Sequence, residues 1–184
     1  LNVIRILNEP TAAAVAYGLK EMREEINLFV LHIGRKNFHG SILAVEGGIV
    51  EIISNYQKDL GGEAINKHIF DHFYRRLSEK KNLNIENIAL QKLNLEIERA
   101  KKTLSLYKET RIEIHEFGLN ETITRQQLEE MNANFFNQIE ENLYRAFENS
   151  GVTKDQIDSI ILIGGTNHIP KVLKNLISGS FEKI

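Results

Sequence analysis

Cysteine is missing from all 184 positions of this chain, which excludes a disulfide framework and a thiolate metal site and points to an intracellular, cytoplasmic setting. Long apolar runs are missing too. No stretch approaches the ~20 residues that span a bilayer, and the first residues lack the basic, apolar and small-residue regions of a signal peptide, so no membrane partner is expected. Nor is there an excess of charge of one sign: 23 Lys and Arg face 25 Asp and Glu, a formal net charge of -2. The basic field of a nucleic-acid binder is therefore absent, and nucleic acid is not an expected partner. Internal repeats and low-complexity linkers are absent as well. The chain opens without methionine, already inside an apolar alternation, "LNVIRIL", and reads as an excised or truncated piece.

What is present is the composition of a globular protein, 42% hydrophobic and 26% charged, in a chain long enough to bury roughly 70% of its unfolded surface. Residues 1–7 alternate as a short strand. "NEPTAAAVAYGL" then starts a helix, with Pro10 suited to the first turn, Asn8 or Thr11 as cap and Gly18 as stop. The segment from Ile26 to Val45 reads as two strands around "GRKNFHG", and "GGIVEIISNY" (47–56) as a third, which predicts an antiparallel meander. From Gly61 the period lengthens. Ile65, Ile69, Phe73 and Leu77 recur every four residues, predicting a helix to about Lys80. A second helix covers about Ile85 to Leu106 on a stripe of Leu90, Leu93, Ile97, Ala100 and Leu104. "TRIEIHEF" (110–117) returns to period two, and the stretch from Thr124, an N-cap, to Gly151 reads as one amphipathic helix. An apolar strand, "IDSIILIGG", and a helix opening near Pro170 complete a mixed α/β pattern.

Gly164 and Gly165 end that last strand just before a helix. Such a turn lets backbone approach a ligand closely, and a helix N-terminus offers free N–H groups to an anion. It is equally what any strand-to-helix turn needs where φ is positive.

The residues around these glycines carry a family resemblance. "LNEPTAAAVAYGL" (7–19), "LGGE" (60–63), "EIERAKKTLS" (96–105), "ITRQQLEEMNANFF" (123–136) and "IILIGGTNHIPKV" (160–172) occur in that order over nearly the whole chain. They resemble blocks of the heat shock protein 70 (DnaK-type) chaperones. The resemblance implies lobe II of an actin-like ATPase (ribonuclease H-like) domain: a five-stranded sheet with flanking helices in residues 1–61 and 146–184, and a cap subdomain inserted at 62–145. It implies ATP or ADP with magnesium as cofactor, and nucleotide-exchange factors, co-chaperones and lobe I of a parent protein as partners. An adenosine pocket maps onto Glu98, Lys101, Lys102 and Ser105, spaced to share a helix face, and onto Gly164, Gly165, Thr166 and His168; Gly62 and Glu63 belong to the "LGGE" block. The family has arginine where this chain has Lys102 and His168, and an ammonium cannot stack on a purine as a guanidinium does. Without the resemblance, Glu98 and Lys101 would read as a solvated helix face.

The family's phosphate loop, "DLGGGTFDVS", aligns with residues 32–41. Gly34 is kept, Arg35 and Lys36 replace glycines, Asn37 follows, and both aspartates have become His32 and His39. In the family those aspartates hold magnesium-bound water and place the hydrolytic water. Magnesium prefers oxygen ligands, and consecutive glycines let N–H groups wrap phosphates. The resemblance thus implies a pseudo-ATPase whose phosphate site is lost or weakened, with an altered anion site built on Arg35 and Lys36 as the alternative. Glu9, the family's glutamate near the magnesium shell, is retained with Pro10. His68 and His72 stand four apart, but Ile69 follows the first where a zinc-protease helix needs Glu, so no metal site is expected. Two functions remain open: a chaperone ATPase lobe with degenerate nucleotide chemistry, and a noncatalytic module that binds co-chaperones or exchange factors. A sugar kinase or actin relative is disfavoured, because "NEPTAAAVAYGL" and "ERAKKTLS" are chaperone blocks.

Overall fold

The computed structural model describes residues 2–4, 6–18, 25–80, 87–115, 118–148 and 150–180. A four-stranded sheet is its centre. Strands β1 (Ile26–Ile33), β2 (Phe38–Glu46) and β3 (Ile49–Lys58) form the expected antiparallel meander, and β6 (Ser159–Ile163) joins β1 in parallel, giving the order β3-β2-β1-β6. Among the described residues the sheet has four strands, where the resemblance implied five.

Both faces of the sheet are covered, so β1 reads as a nearly continuous apolar run rather than an alternation. Leu28 and Val30, with Leu43, Val45 and Ile161, pack against Ala13 and Ala14 of α1 (Glu9–Ala16). Phe29, Leu31, Ile33, Phe38 and Ile42 face the opposite way, into the larger core. The predicted α1 is present and stops at Gly18, whose φ is +74°. Asn8 precedes it, but without a side-chain capping bond.

The larger core continues into α2 (Gly62–Lys80), α3 (Asn87–Leu106), a hairpin of β4 (Glu109–Ile114) and β5 (Leu119–Thr124), α4 (Arg125–Met131), α5 (Ala133–Glu148) and α6 (Pro170–Ser180). Ile65, Ile69 and Phe73 of α2, and Leu93, Ile97, Ala100 and Leu104 of α3, are buried on the predicted stripes. Ile85 and the side chain of Leu77 lie outside the described residues.

Two expectations need correction, and one strand was not anticipated. Residues 2–4, 6 and 7, the described part of the expected strand, are not in one: Val3, Ile4 and Ile6 are 76%, 97% and 88% exposed, and no described strand lies beside them to complete a ladder. The single helix expected from Thr124 to Gly151 is two helices broken at Asn132, whose φ of -113° leaves the helical region. The buried Asn132 side chain donates to the Leu128 carbonyl at 2.8 Å and meets His68 Nδ1 at 2.7 Å, a local bond that competes with the helical ladder. Finally, residues 119–124 form β5, which ends in the expected cap: Thr124 and Gln127 make a reciprocal capping box.

A bulge in β3 also bears on the site. Ile42 pairs with Ser54 but Leu43 pairs with Ile52, so Ile53 is the extra residue. Ile52 and Tyr56 are four apart and would share a face in a regular strand, yet Ile52 packs on the α1 side and Tyr56 on the opposite core. The bulge thereby turns Asn55 and Gln57 to the α1 side.

Candidate functional site

The hairpin between β1 and β2 places the substituted loop. Ile33 pairs with Phe38, His32 with His39, and the Gly34 N–H donates to the Asn37 carbonyl at 2.9 Å, closing a four-residue turn. This turn is docked against the start of α2. The Gly62 N–H donates to the Gly34 carbonyl at 3.1 Å and the Glu63 N–H to the Arg35 carbonyl at 2.8 Å. Arg35 Nη2 lies 3.1 Å from Glu63 Oε1. Gly61 is required by this contact, since a Cβ there would sit 2.5 Å from the Arg35 carbonyl. Two N–H groups that a helix start leaves free are thus held by the loop itself.

On the inner side, Thr166 Oγ1 donates to the same Gly34 carbonyl at 2.9 Å. Lys101 Nζ donates to the Gly62 carbonyl at 3.3 Å and pairs with Glu98 at 2.8 Å, and Asn66 Nδ2 donates to Glu98 at 2.7 Å. Burial alone would raise the Glu98 carboxyl, but hydrogen bonds from Lys101 and Asn66 and the charges of Lys101 and Lys102 hold it below the ordinary carboxylate value. Lys102 is 75% exposed and His168 is exposed; Ser105 Oγ donates to the Lys101 carbonyl of its own helix. Gly164, at φ +94°, brings β6 against β1 so tightly that a Cβ would lie 2.5 Å from the Ile33 carbonyl, whereas Gly165 is open. Gly34, Gly62, Glu98, Lys101 and Thr166 are therefore one connected network, with Lys102, Ser105, Gly165 and His168 at its margin.

On the outer side lies a cleft of about 570 Å³, lined by Glu9, His32, Lys36, Asn37, His39 and the bulge-turned Asn55 and Gln57. Strand alternation puts His32 on the face of Val30 and His39 on the face of Leu43, the face that α1 covers. Glu9, first residue of α1, meets them there: its Oε2 is 2.9 Å from His32 Nδ1 and 3.9 Å from His39 Nδ1. Glu98, Lys101, Lys102, Ser105, Gly164, Gly165, Thr166 and His168 do not line this cleft. The predicted site residues thus divide between the two sides of the Gly34–Asn37 turn.

Glu9, His32 and His39 each offer a ligand atom within 4.8 Å of the others, a grouping that the sequence did not suggest. His68 and His72 do not form such a group: His68 is bonded to Asn132, and His72 lies at a separate cavity of about 230 Å³ beside Arg76, Gln127 and Glu130. Burial and the Arg76 cation, partly offset by Glu121, hold the His72 imidazole below its ordinary value. The sequence reading also missed Asn55, Gln57 and Asn66. A bulge leaves no mark on composition, and Asn66 sits beside Glu98 only once α2 and α3 pack.

A mixed sheet flanked by helices, with a hairpin loop wedged between a helix start and a strand–Gly-Gly turn, is consistent with an actin-like ATPase fold. The model of the Hsp70 protein family matches residues 1–183, and the chain belongs to that family. Membership gives it the themes of chaperone and ATP binding, for Hsp70 proteins generally bind ATP or ADP with magnesium and work with co-chaperones and exchange factors. Among the described residues no helix is long and apolar enough to cross a membrane. The group around Glu9 offers one carboxylate and two imidazoles, a donor set that does not fit magnesium, which demands near-octahedral oxygen ligands.

Proposed function

We propose that this chain is the lobe II part of the nucleotide-binding domain of an Hsp70-like molecular chaperone, in which binding of ATP or ADP with magnesium is weakened or lost. In this reading residues 1–61 and 146–184 form the sheet subdomain and 62–145 the cap, and Glu98, Lys101, Lys102, Ser105, Gly164, Gly165, Thr166 and His168 are what remains of an adenosine pocket.

The observation that carries it is the pairing of His32 with His39 across the hairpin mouth. Two imidazoles stand where aspartates would supply oxygen and charge. The loop N–H of Gly34 and the first two N–H groups of α2 are already hydrogen-bonded within the protein, so they are not free to meet phosphate oxygens. Cationic Arg35 and Lys36 add attraction for an anion but not the close backbone cradle that glycine permits. Titration calorimetry of the chain with Mg·ADP tests this. The reading expects no saturable binding in the micromolar range, and micromolar or tighter binding contradicts it.

A second reading, a noncatalytic module that binds co-chaperones or exchange factors, is favoured by one observation. Ile88, Leu95 and Leu106 share one side of α3 and are 58%, 71% and 80% exposed, with Lys92, Arg99 and Lys102 between them. A purified nucleotide-exchange factor should then be retained by the immobilised chain and released by Leu95→Glu. Equal retention by both proteins would count against it.

A further inference from the structure

We propose that Glu9, His32 and His39 form a binding site for a borderline transition-metal dication, zinc foremost, at the mouth of the β1–β2 hairpin. Three features support it. The first is topology. His32 and His39 are direct cross-strand partners, so the hairpin register alone holds two imidazoles side by side, their ring centroids 5.6 Å apart. The third ligand comes from the first turn of α1, which the Ala13 and Ala14 contacts fix on the same face of the sheet.

The second is distance. Zinc bonded to nitrogen and carboxylate oxygen at about 2.0–2.2 Å in a tetrahedron needs ligand atoms roughly 3.3 Å apart. Glu9 Oε2 already stands 2.9 Å from His32 Nδ1 and 3.9 Å from His39 Nδ1, and all three ligand atoms lie within 4.8 Å of one another, so modest side-chain rotations bring them to that spacing. The third is chemistry. Neutral imidazole with carboxylate suits zinc and its neighbours in the first transition row, whereas oxygen-only sets suit magnesium and calcium. Three protein ligands leave a fourth position facing the cleft, where Asn37, Asn55 and Gln57 are at hand to orient a bound water.

The site is independent of lost nucleotide affinity, because the test contains no nucleotide: zinc binding can fail while that reading holds, and the reverse. Zinc chloride is titrated calorimetrically into the chain with magnesium in large excess. One equivalent should bind with micromolar or tighter affinity, unmoved by magnesium. Glu9→Gln, His32→Gln and His39→Gln should each weaken binding by more than the roughly 10–100-fold that loss of an outer-shell partner costs, and cobalt should show visible d–d absorption with the native chain that these variants lack. His72→Gln and His115→Gln should bind as the native chain does. Absence of saturable binding, displacement by magnesium, or loss of binding in His72→Gln would each overturn the proposal. Should a variant not fold, stoichiometric zinc added to the native chain must still shift the imidazole NMR signals of His32 and His39; unmoved signals overturn it.

Discussion

Thr166 and Gly34, 132 residues apart in the chain, are joined by a hydrogen bond of 2.9 Å from the threonine hydroxyl to the glycine carbonyl. That carbonyl also accepts from the Gly62 N–H, so a single oxygen ties together the hairpin loop, the start of α2 and the turn that follows β6. The loop is consequently a structural hub.

Thr166→Val keeps the shape of this buried side chain and removes its hydroxyl. Because Gly34 retains its second donor, the loss should be that of one ordinary hydrogen bond, about 0.5–1.5 kcal/mol. Denaturant unfolding checks it, with the midpoint lowered and the slope unchanged.

Gly164→Ala should cost more. At φ +94° a side chain is strained, and the new Cβ would meet the Ile33 carbonyl at 2.5 Å and the His32 ring at 2.6 Å. Backbone must shift, which places the loss at roughly 1–3 kcal/mol. Gly165→Ala, with open space around it, serves as the control and should change thermal stability little.

Stability should fall as pH drops through the range of His72. Its folded-state value lies below the ordinary 6.5, so above that pH both folded and unfolded chains carry a neutral ring and nothing is lost. Below it the unfolded chain takes up a proton that the folded chain resists, and the unfolded state gains. Melting temperatures measured from neutral to mildly acidic pH should decline less steeply in His72→Gln than in the native chain.

Asn132→Ala should destabilise the chain although alanine is the better helix former. The variant removes the Asn132 bond to His68 Nδ1 and the side-chain amide from the Leu128 carbonyl, a loss of about 0.5–1.5 kcal/mol for each bond. Urea unfolding reads it directly.

These residues also mark where sequence reading ends. The meander, α1, α2 and α3 were legible because each rests on local signals: apolar strands set off by glycine turns, Pro10 and Gly18 bounding α1, and four-residue recurrence along Ile65, Ile69 and Phe73. The break at Asn132 was not legible, since the buried asparagine that competes with the helical ladder is also held by His68, 64 residues away. Residues 1–7 misled for the converse reason: alternation permits a strand, but only a neighbouring strand makes one. In the site, the loop substitutions could be read singly. That His32 and His39 face one another follows from the four-residue turn between Gly34 and Asn37, and that Glu9 joins them follows from how α1 packs on the sheet, which no spacing encodes.

The central claim is that the hairpin loop is where nucleotide affinity was lost. It is tested most directly by calorimetric affinity for Mg·ADP, compared between the native chain and the variant His32→Asp, Arg35→Gly, Lys36→Gly, His39→Asp. The claim predicts that the variant binds at least about tenfold tighter, a gain of about 1.4 kcal/mol; equal affinities in the two proteins would contradict it.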